Sequence, residues 1–366
     1  MKMTVKEVTD ILEEFAPLAY AEDFDNVGLL IGNPISEVSG ILVTLDTLEH
    51  VVDEAVQNNC NLIVSFHPII FSGLKKITGK SYVERVVLKA IKNDIAIYAI
   101  HTALDNTPLG VNGKIGEVLG LINPKILIPQ QNTLRKLTTY VPVAHEERLK
   151  NALFLAGAGA IGNYSNCSFS AVGQGTFKPN EKANPAIGEI GKTHTENEVM
   201  ISCVFDREKE HRILRSLKDS HPYEEVAYEI ITLNNTNPYI GMGLVGKLEK
   251  SMPETSFLEM LKVKMKAEVV RHSQFLGRPI QKIAVLGGSG AFAIGAAKAA
   301  GADVFITADV KYHQFYEAEN KIVIADIGHF ETEQFTKNLL VDYLKKKIPN
   351  FAIRLSESIT NPIKYF

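Results

Sequence analysis

Histidines and carboxylates recur at the ends of apolar runs in this 366-residue chain. NLIVSFHP (61–68) reads as a buried strand that stops at His67 just before Pro68. AIYAIHTALDN (96–106) reads as a second, ending on His101 with Asp105 four residues on. In KIVIADIGHFETEQF (321–335) a third strand ends at Asp326, Gly328 permits a tight backbone, and His329 and Glu333 stand four apart at a helix start. At that spacing an imidazole and a carboxylate share one helix face and can converge on a cation, and strand ends are where open α/β sheets bind ligands.

Each residue alone has a plainer reading: a loop carbonyl partner for His67, turn chemistry for Asp105 in Asp-Asn-Thr-Pro, and a helix-dipole acid for Glu333, a job that Glu331 can also do. Taken together, His67, Asp105, His329 and Glu333 supply two imidazoles and two carboxylates. That set suits zinc, manganese or iron(II), and the carboxylates could bridge a second ion. Cys60, Cys167 and Cys203 lie far apart with no C-x-x-C pair, so any metal is held by nitrogen and oxygen. His101 and His313 are the proton-transfer candidates. His313 belongs to DVFITADVKYHQ (303–314), where Thr307 and Asp309 could support the ligands, contact substrate or cap a helix.

Two further strings invite chemistry less strongly. VLGGSGAFAIG (285–295) follows a strand and opens a helix, so its N–H groups could cradle an anion. It departs from the G-x-G-x-x-G register and has no P-loop lysine, which leaves close strand-to-helix packing as the stronger reading. In SHPYEEVAYEI, residues Ser220, His221, Glu224 and Glu225 could bind a cation, but a structural or oligomer-contact role fits at least as well.

The elements that must position these residues follow from periodicity. Short Val/Ile/Leu runs (VGLLIG, GILVTLD, NLIVSFH, AIYAIH) alternate with amphipathic stretches (50–59 and 82–94), which predicts strands covered on both faces of a layered α/β domain. Thr4, with Glu7 three residues later, predicts a capped first helix. Between a polar entry (IPQQNTLRK) and an asparagine-rich exit (LNNTNP), residues 128–237 read as strand, helix, two strands, helix, strand, the βαββαβ ferredoxin-like pattern. The flanks, 1–127 and 238–366, read as two halves of one core domain.

Composition bounds the function. With 45% hydrophobic and 22% charged residues the chain is globular, and its length calls for more than one core. A formal charge of −3 provides no global field for phosphate backbones, which argues against nucleic acid. No apolar run is long enough for a membrane span, and acids interrupt what would be a signal peptide, so the expectation is a cytoplasmic protein that does not engage membranes.

FDNVGLLIG, HPIIFSGLKKITG, HTALDN, GGSGAFAI, DVFITADVKYHQ and GHFETEQ occur in an order that resembles the NIF-three-like dinuclear-metal family, the GTP cyclohydrolase I type 2 homologues, over nearly the whole chain. GAGAIGNYSNCSF, GQGTFKPN and HPYEEVAYEI resemble the PII/CutA-like insertion of its longer bacterial members. The resemblance implies a toroidal homohexamer with two divalent ions per subunit, zinc first and manganese or iron as alternatives. It places His67, Asp105, His329 and Glu333 on the ligands, with Glu333 as the bridge. Where the family usually has two histidines before the proline, this chain has Phe66 before His67, so one ion loses an imidazole and its site is weaker, is completed by water or His101, or stays empty.

A dinuclear centre can lower the pKa of water, so the expected activity is metal-dependent hydrolysis of a nucleotide-like small molecule. The rival expectation is a non-enzymatic regulatory or scaffold protein whose inserted domain binds a ligand or partner.

Overall fold

The apolar runs become short strands whose two faces feed different cores. Ile41–Thr44, Leu62–Ser65 and Ala96–Ala99 are buried along their whole length and pair in parallel. Gly28–Ile31 adds antiparallel at one edge of this five-stranded sheet and Ile353–Leu355 adds parallel at the other. Successive side chains alternate across a strand, so Ile41, Val43, Leu62, Val64 and Tyr98 enter one core. Leu42, Ile63 and Ile97 enter another, against Val51, Val52 and Ala55 of helix Glu49–Gln57 and Val86, Val87 and Ala90 of helix Tyr82–Lys92.

A second sheet of six strands runs in the order Arg271–His272, Val323–Asp326, Val304–Ala308, Ile280–Ser289, Asn237–Met252, Ile122–Gln130, with the second, third and fourth mutually parallel. Its Ile283, Val285, Val304, Ile306 and Val323 face the same core as the first sheet. Ala284, Leu286, Phe305 and Ile324 face a third core with Ala293, Ile294 and Ala297. Helices Val5–Phe15, Val111–Leu119, Glu254–Met265 and Thr336–Lys347 contribute to the shared core, so the layers alternate helix, sheet, helix, sheet, helix. The predicted capping box is present: Glu7 N–H donates to Thr4 Oγ1 at 3.3 Å and Thr4 N–H donates to Glu7 Oε2 at 2.7 Å.

The computed structural model describes residues 2–366. It forms two units, one ending at Pro129 and resuming over Pro238–Phe366, the other Gln130–Asn237. The segments that read as polar boundaries are mostly strand: Ile122–Gln130 reaches into the first and the 16-residue Asn237–Met252 begins in the second, leaving short breaks at 131–133 and 234–236. The first is exposed over most of its length, which explains why its composition reads as a linker. The second unit has four antiparallel strands in the order Phe169–Phe177, His194–Asp206, Leu134–Pro142, Tyr228–Leu233. Helices Glu146–Leu155 and Glu210–Ser220 pack Leu149, Leu153, Ile213 and Leu217 against Leu137, Val199, Ile201 and Phe205. Among the described residues no helix is long and apolar enough to cross a membrane.

Candidate metal centre

Parallel pairing sets neighbouring strand ends side by side. Leu62–Ser65 lies between Ile41–Thr44 and Ala96–Ala99, so the residues just past each end, His67, Asp46 and His101, become neighbours. In the second sheet Val304–Ala308 and Val323–Asp326 do the same for Asp309 and His329. Backbone bonds fix the exits: His67 N–H donates to Leu45 O at 2.9 Å and His101 N–H to Phe66 O at 2.9 Å. The second apolar run ends as a strand at Ala99, and His101 instead opens the short helix His101–Asp105.

Three predicted ligands meet. His67 Nε2 lies 3.2 Å and His329 Nε2 3.1 Å from Glu333 Oε2, and the ligand atoms of the three residues all fall within 4.8 Å of one another. The pairing of His329 with Glu333 is the i, i+4 relation of helix His329–Glu333. Glu333 Oε2 is buried, and the two imidazoles lie close enough to pair with it as ions but out of line for hydrogen bonds. Asp105 is partly buried, its buried Oδ1 also lacks a donor, and it feels the charges of Glu333, His67 and His329, but its carboxylate stands outside the tight trio. Buried carboxylate oxygens without donors are costly. Two of them beside two imidazoles make a donor set that fits a divalent cation.

The other imidazole nitrogens are each held by a carboxylate. His67 Nδ1 donates to Asp46 Oδ1 at 2.8 Å, His329 Nδ1 to Asp309 Oδ2 at 2.7 Å, and His101 Nδ1 to Asp25 Oδ1 at 2.9 Å. Such partners fix the tautomer so that Nε2 presents its lone pair to a metal. The partners are themselves anchored: Asp46 Oδ2 accepts from Thr360 Oγ1 at 2.7 Å, Asp25 Oδ2 accepts from Thr102 N–H at 3.0 Å, and Asp309 bonds Ser289 Oγ. Of these, Asp309 was a sequence candidate. Asp46 ends the run GILVTLD and could have been found by the strand-end rule, whereas the spacing around Asp25 carries no signal.

Electrostatics follow from this packing. Burial pulls the His67 imidazole down, but Asp46 and Glu333 outweigh it and push the group up to about 10. His329, likewise opposed by burial, is raised to about 9 by Glu333 and Asp309. Burial pushes the Glu333 carboxyl up, yet the two imidazoles hold it at about 2. Asp105 is raised well above the usual carboxylate range, first by burial and then by Glu333.

Phe66 is wholly buried, in the core shared by both sheets, with its ring 4.8 Å from His67 and 5.4 Å edge-on to His101. The ring of His101 lies 5.2 Å from that of His67. His313 sits exposed in the turn Tyr312–Ala318, with its ring contacts to Tyr312 and Tyr316. The glycine run serves the site by its smallness: Gly288 has φ +67°, and a Cβ there would stand 2.4 Å from Glu333 Oε1. In the second unit His221 Nε2 bonds Tyr140 O at 2.9 Å and Glu224 accepts from Asn184 N–H at 2.7 Å, so these two residues of the SHPYEE string make structural contacts.

The fold and this centre define a mixed α/β protein of three sheets with a possible metal-binding group at its strand ends. The family model described as Duf34/NIF3 (NGG1p interacting factor 3) matches residues 3–362, and the chain belongs to that family. It is similar to proteins named GTP cyclohydrolase 1 type 2 homolog, at 38% identity in Bacillus subtilis, with 98% of each chain covered, and at 35% in Staphylococcus epidermidis, with 99% of this chain and 100% of the relative covered. Among solved structures it superposes on a Bacillus cereus protein related to NIF3 with a TM-score of 0.84 at 36% identity, covering 100% of this chain and 99% of that one. A Staphylococcus aureus protein follows at 0.78 and 30%, with the same coverage.

Proposed function

We propose that this protein carries a dinuclear divalent-metal centre and acts as a metal-dependent hydrolase on a nucleotide-like small molecule. The observation that carries the reading is the convergence of His67 Nε2 and His329 Nε2 on the buried Glu333, with each Nδ1 held by its own aspartate. In this reading His67, His329 and Glu333 would hold one ion, zinc first, and Glu333 and Asp105 would be the carboxylates offered to a second. A bound divalent ion would supply Lewis acidity and lower the pKa of water. Asp46 and Asp309 hold the imidazoles in the productive tautomer. His101, fixed by Asp25 beside His67, is the group placed to hold or move a proton at Nε2, and the contacts of His313 give it no such part.

The nucleotide-like substrate rests on the relatives' names, which point to GTP ring opening as one member of the class. The ferredoxin-like, PII/CutA-like reading of residues 128–237 is supported by the strand order of the second unit, and the toroidal homohexamer and cytoplasmic location remain part of the proposal through the family resemblance. The deciding experiment pairs metal analysis of protein purified without chelator with turnover on nucleotides, phosphoesters and cyclic amides. Bound metal, and turnover lost in Glu333→Ala, is the expected result. Absence of turnover across the panel by metal-loaded protein, indistinguishable from Glu333→Ala, would sink the hydrolase and favour the regulatory alternative.

A further inference from the structure

The second unit contains a buried acid that its fold leaves half-used. Glu198, on strand His194–Asp206, is only 9% exposed. Its Oε1 accepts from Tyr223 Oη at 2.8 Å. Among the described residues no basic side chain forms an ion pair with it, and Tyr223 Oη is its hydrogen-bond donor. His221, which feels its charge, is held below the usual imidazole value by burial and is spent on Tyr140 O. A mostly buried carboxylate with one neutral donor and no cation beside it has a free oxygen able to take a cationic partner.

Glu198 lines a cavity of about 390 Å³ walled by Phe177, Pro179, Ala186, Ile187 and Tyr223. The Phe177 and Tyr223 rings stand 5.8 Å apart at 58° and supply aromatic wall beside the acid, and aromatic rings attract cations. Glu224 and Glu225 also line the cavity, with Lys178 as its one base. Gly175 runs beside the acid, where a Cβ would fall 2.1 Å from Glu198 Oε2, so any side chain there would force the carboxylate aside. Small size, aromatic and apolar walls, a negative balance and one buried acceptor together specify a ligand with a positive head and a compact apolar body.

We propose that this cavity is a binding site for a small organic ammonium ligand, with Glu198 pairing the cationic nitrogen and Phe177 and Tyr223 enclosing the adjoining carbon groups. The site lies wholly within Gln130–Asn237 and does not depend on the metal reading.

Benzylamine tests it on the full chain, with benzoate as the probe of opposite charge, by calorimetry or ligand-detected NMR. Wild type is expected to bind benzylamine saturably and benzoate not at all. Glu198→Gln, which keeps shape and the Tyr223 contact, is expected to weaken benzylamine at least about tenfold, as loss of a buried ion pair should. It should also leave the ligand-free thermal midpoint unchanged or higher, because the uncompensated charge is gone. Phe177→Ala is expected to weaken binding as well. The proposal is overturned if wild type shows no saturable benzylamine binding in the millimolar range, if folded Glu198→Gln binds as well as wild type, or if Glu198→Gln lowers the midpoint. The last result would make Glu198 a structural acid that holds Tyr223.

Discussion

Metal binding at this centre should compete with protons, and the competition has a definite size. In the metal-free protein the His67 imidazole titrates at about 10 and His329 at about 9, so both are protonated at pH 7. An ion that takes both Nε2 atoms must displace both protons. Freeing an imidazole of pKa about 10 at pH 7 costs about 4 kcal/mol. His329 adds a smaller amount, reduced by solvent screening because its side chain is 35% exposed. The logarithm of the apparent metal affinity should therefore rise by about two per pH unit from pH 7 towards pH 8.5.

Stability of the metal-free protein should run the opposite way. For these raised groups the stabilising contribution is complete below the ordinary imidazole value of 6.5 and is lost as pH rises through about 9 and 10. Glu333, held at about 2, shares the same ion pairs, and its contribution is lost only as pH falls from 4.5 through about 2. Calorimetry of zinc binding in buffers of different ionisation enthalpy measures the protons directly. Release of about two protons as the ion between His67 and His329 binds is expected; fewer than one would refute the reasoning, since Nε2 would then not be the protonated atom the metal replaces.

Asp105→Asn removes a carboxyl whose pKa is raised by burial and by Glu333; ionising it at neutral pH costs stability, so the metal-free midpoint should rise while metal stoichiometry falls, both readable by calorimetry and elemental analysis. Gly288→Ala should abolish metal retention and destabilise by more than about 1 kcal/mol, because φ is +67° and the new Cβ meets Glu333 Oε1; an unchanged metal content would contradict the close-approach argument. Thr360→Val deletes the donor to Asp46 Oδ2 and should weaken metal affinity by about tenfold, with Thr360→Ser restoring it. Equal affinities for the three forms in a chelator competition would show that the hydroxyl does not orient Asp46.

Part of the site is legible in the sequence itself. His329 and Glu333 meet because four residues on a helix turn bring two side chains to one face, a relation set by short-range backbone geometry. Thr4 and Glu7 form their box for the same local reason, and the strands end near His67 and Asp326 where apolar runs stop. The two units divide at 129/130 and 237/238, beside the junctions expected at 127/128 and 237/238, although the polar residues there belong partly to exposed strands and look like linker.

Tertiary structure alone decided which partners meet. Asp46, Asp309 and Asp25 reach their histidines from 21, 20 and 76 residues away, and Thr360 reaches Asp46 from 314. Strand pairing order governs those encounters, and no local periodicity encodes it. Residue types and spacing determined that His67, His329 and Glu333 could bind an ion. Only the packing of two sheets on one core brought His67 to the helix of the other two, left Glu333 Oε2 and Asp105 Oδ1 without donors, and turned Phe66 into the core, because burial and convergence are properties of the assembled layers.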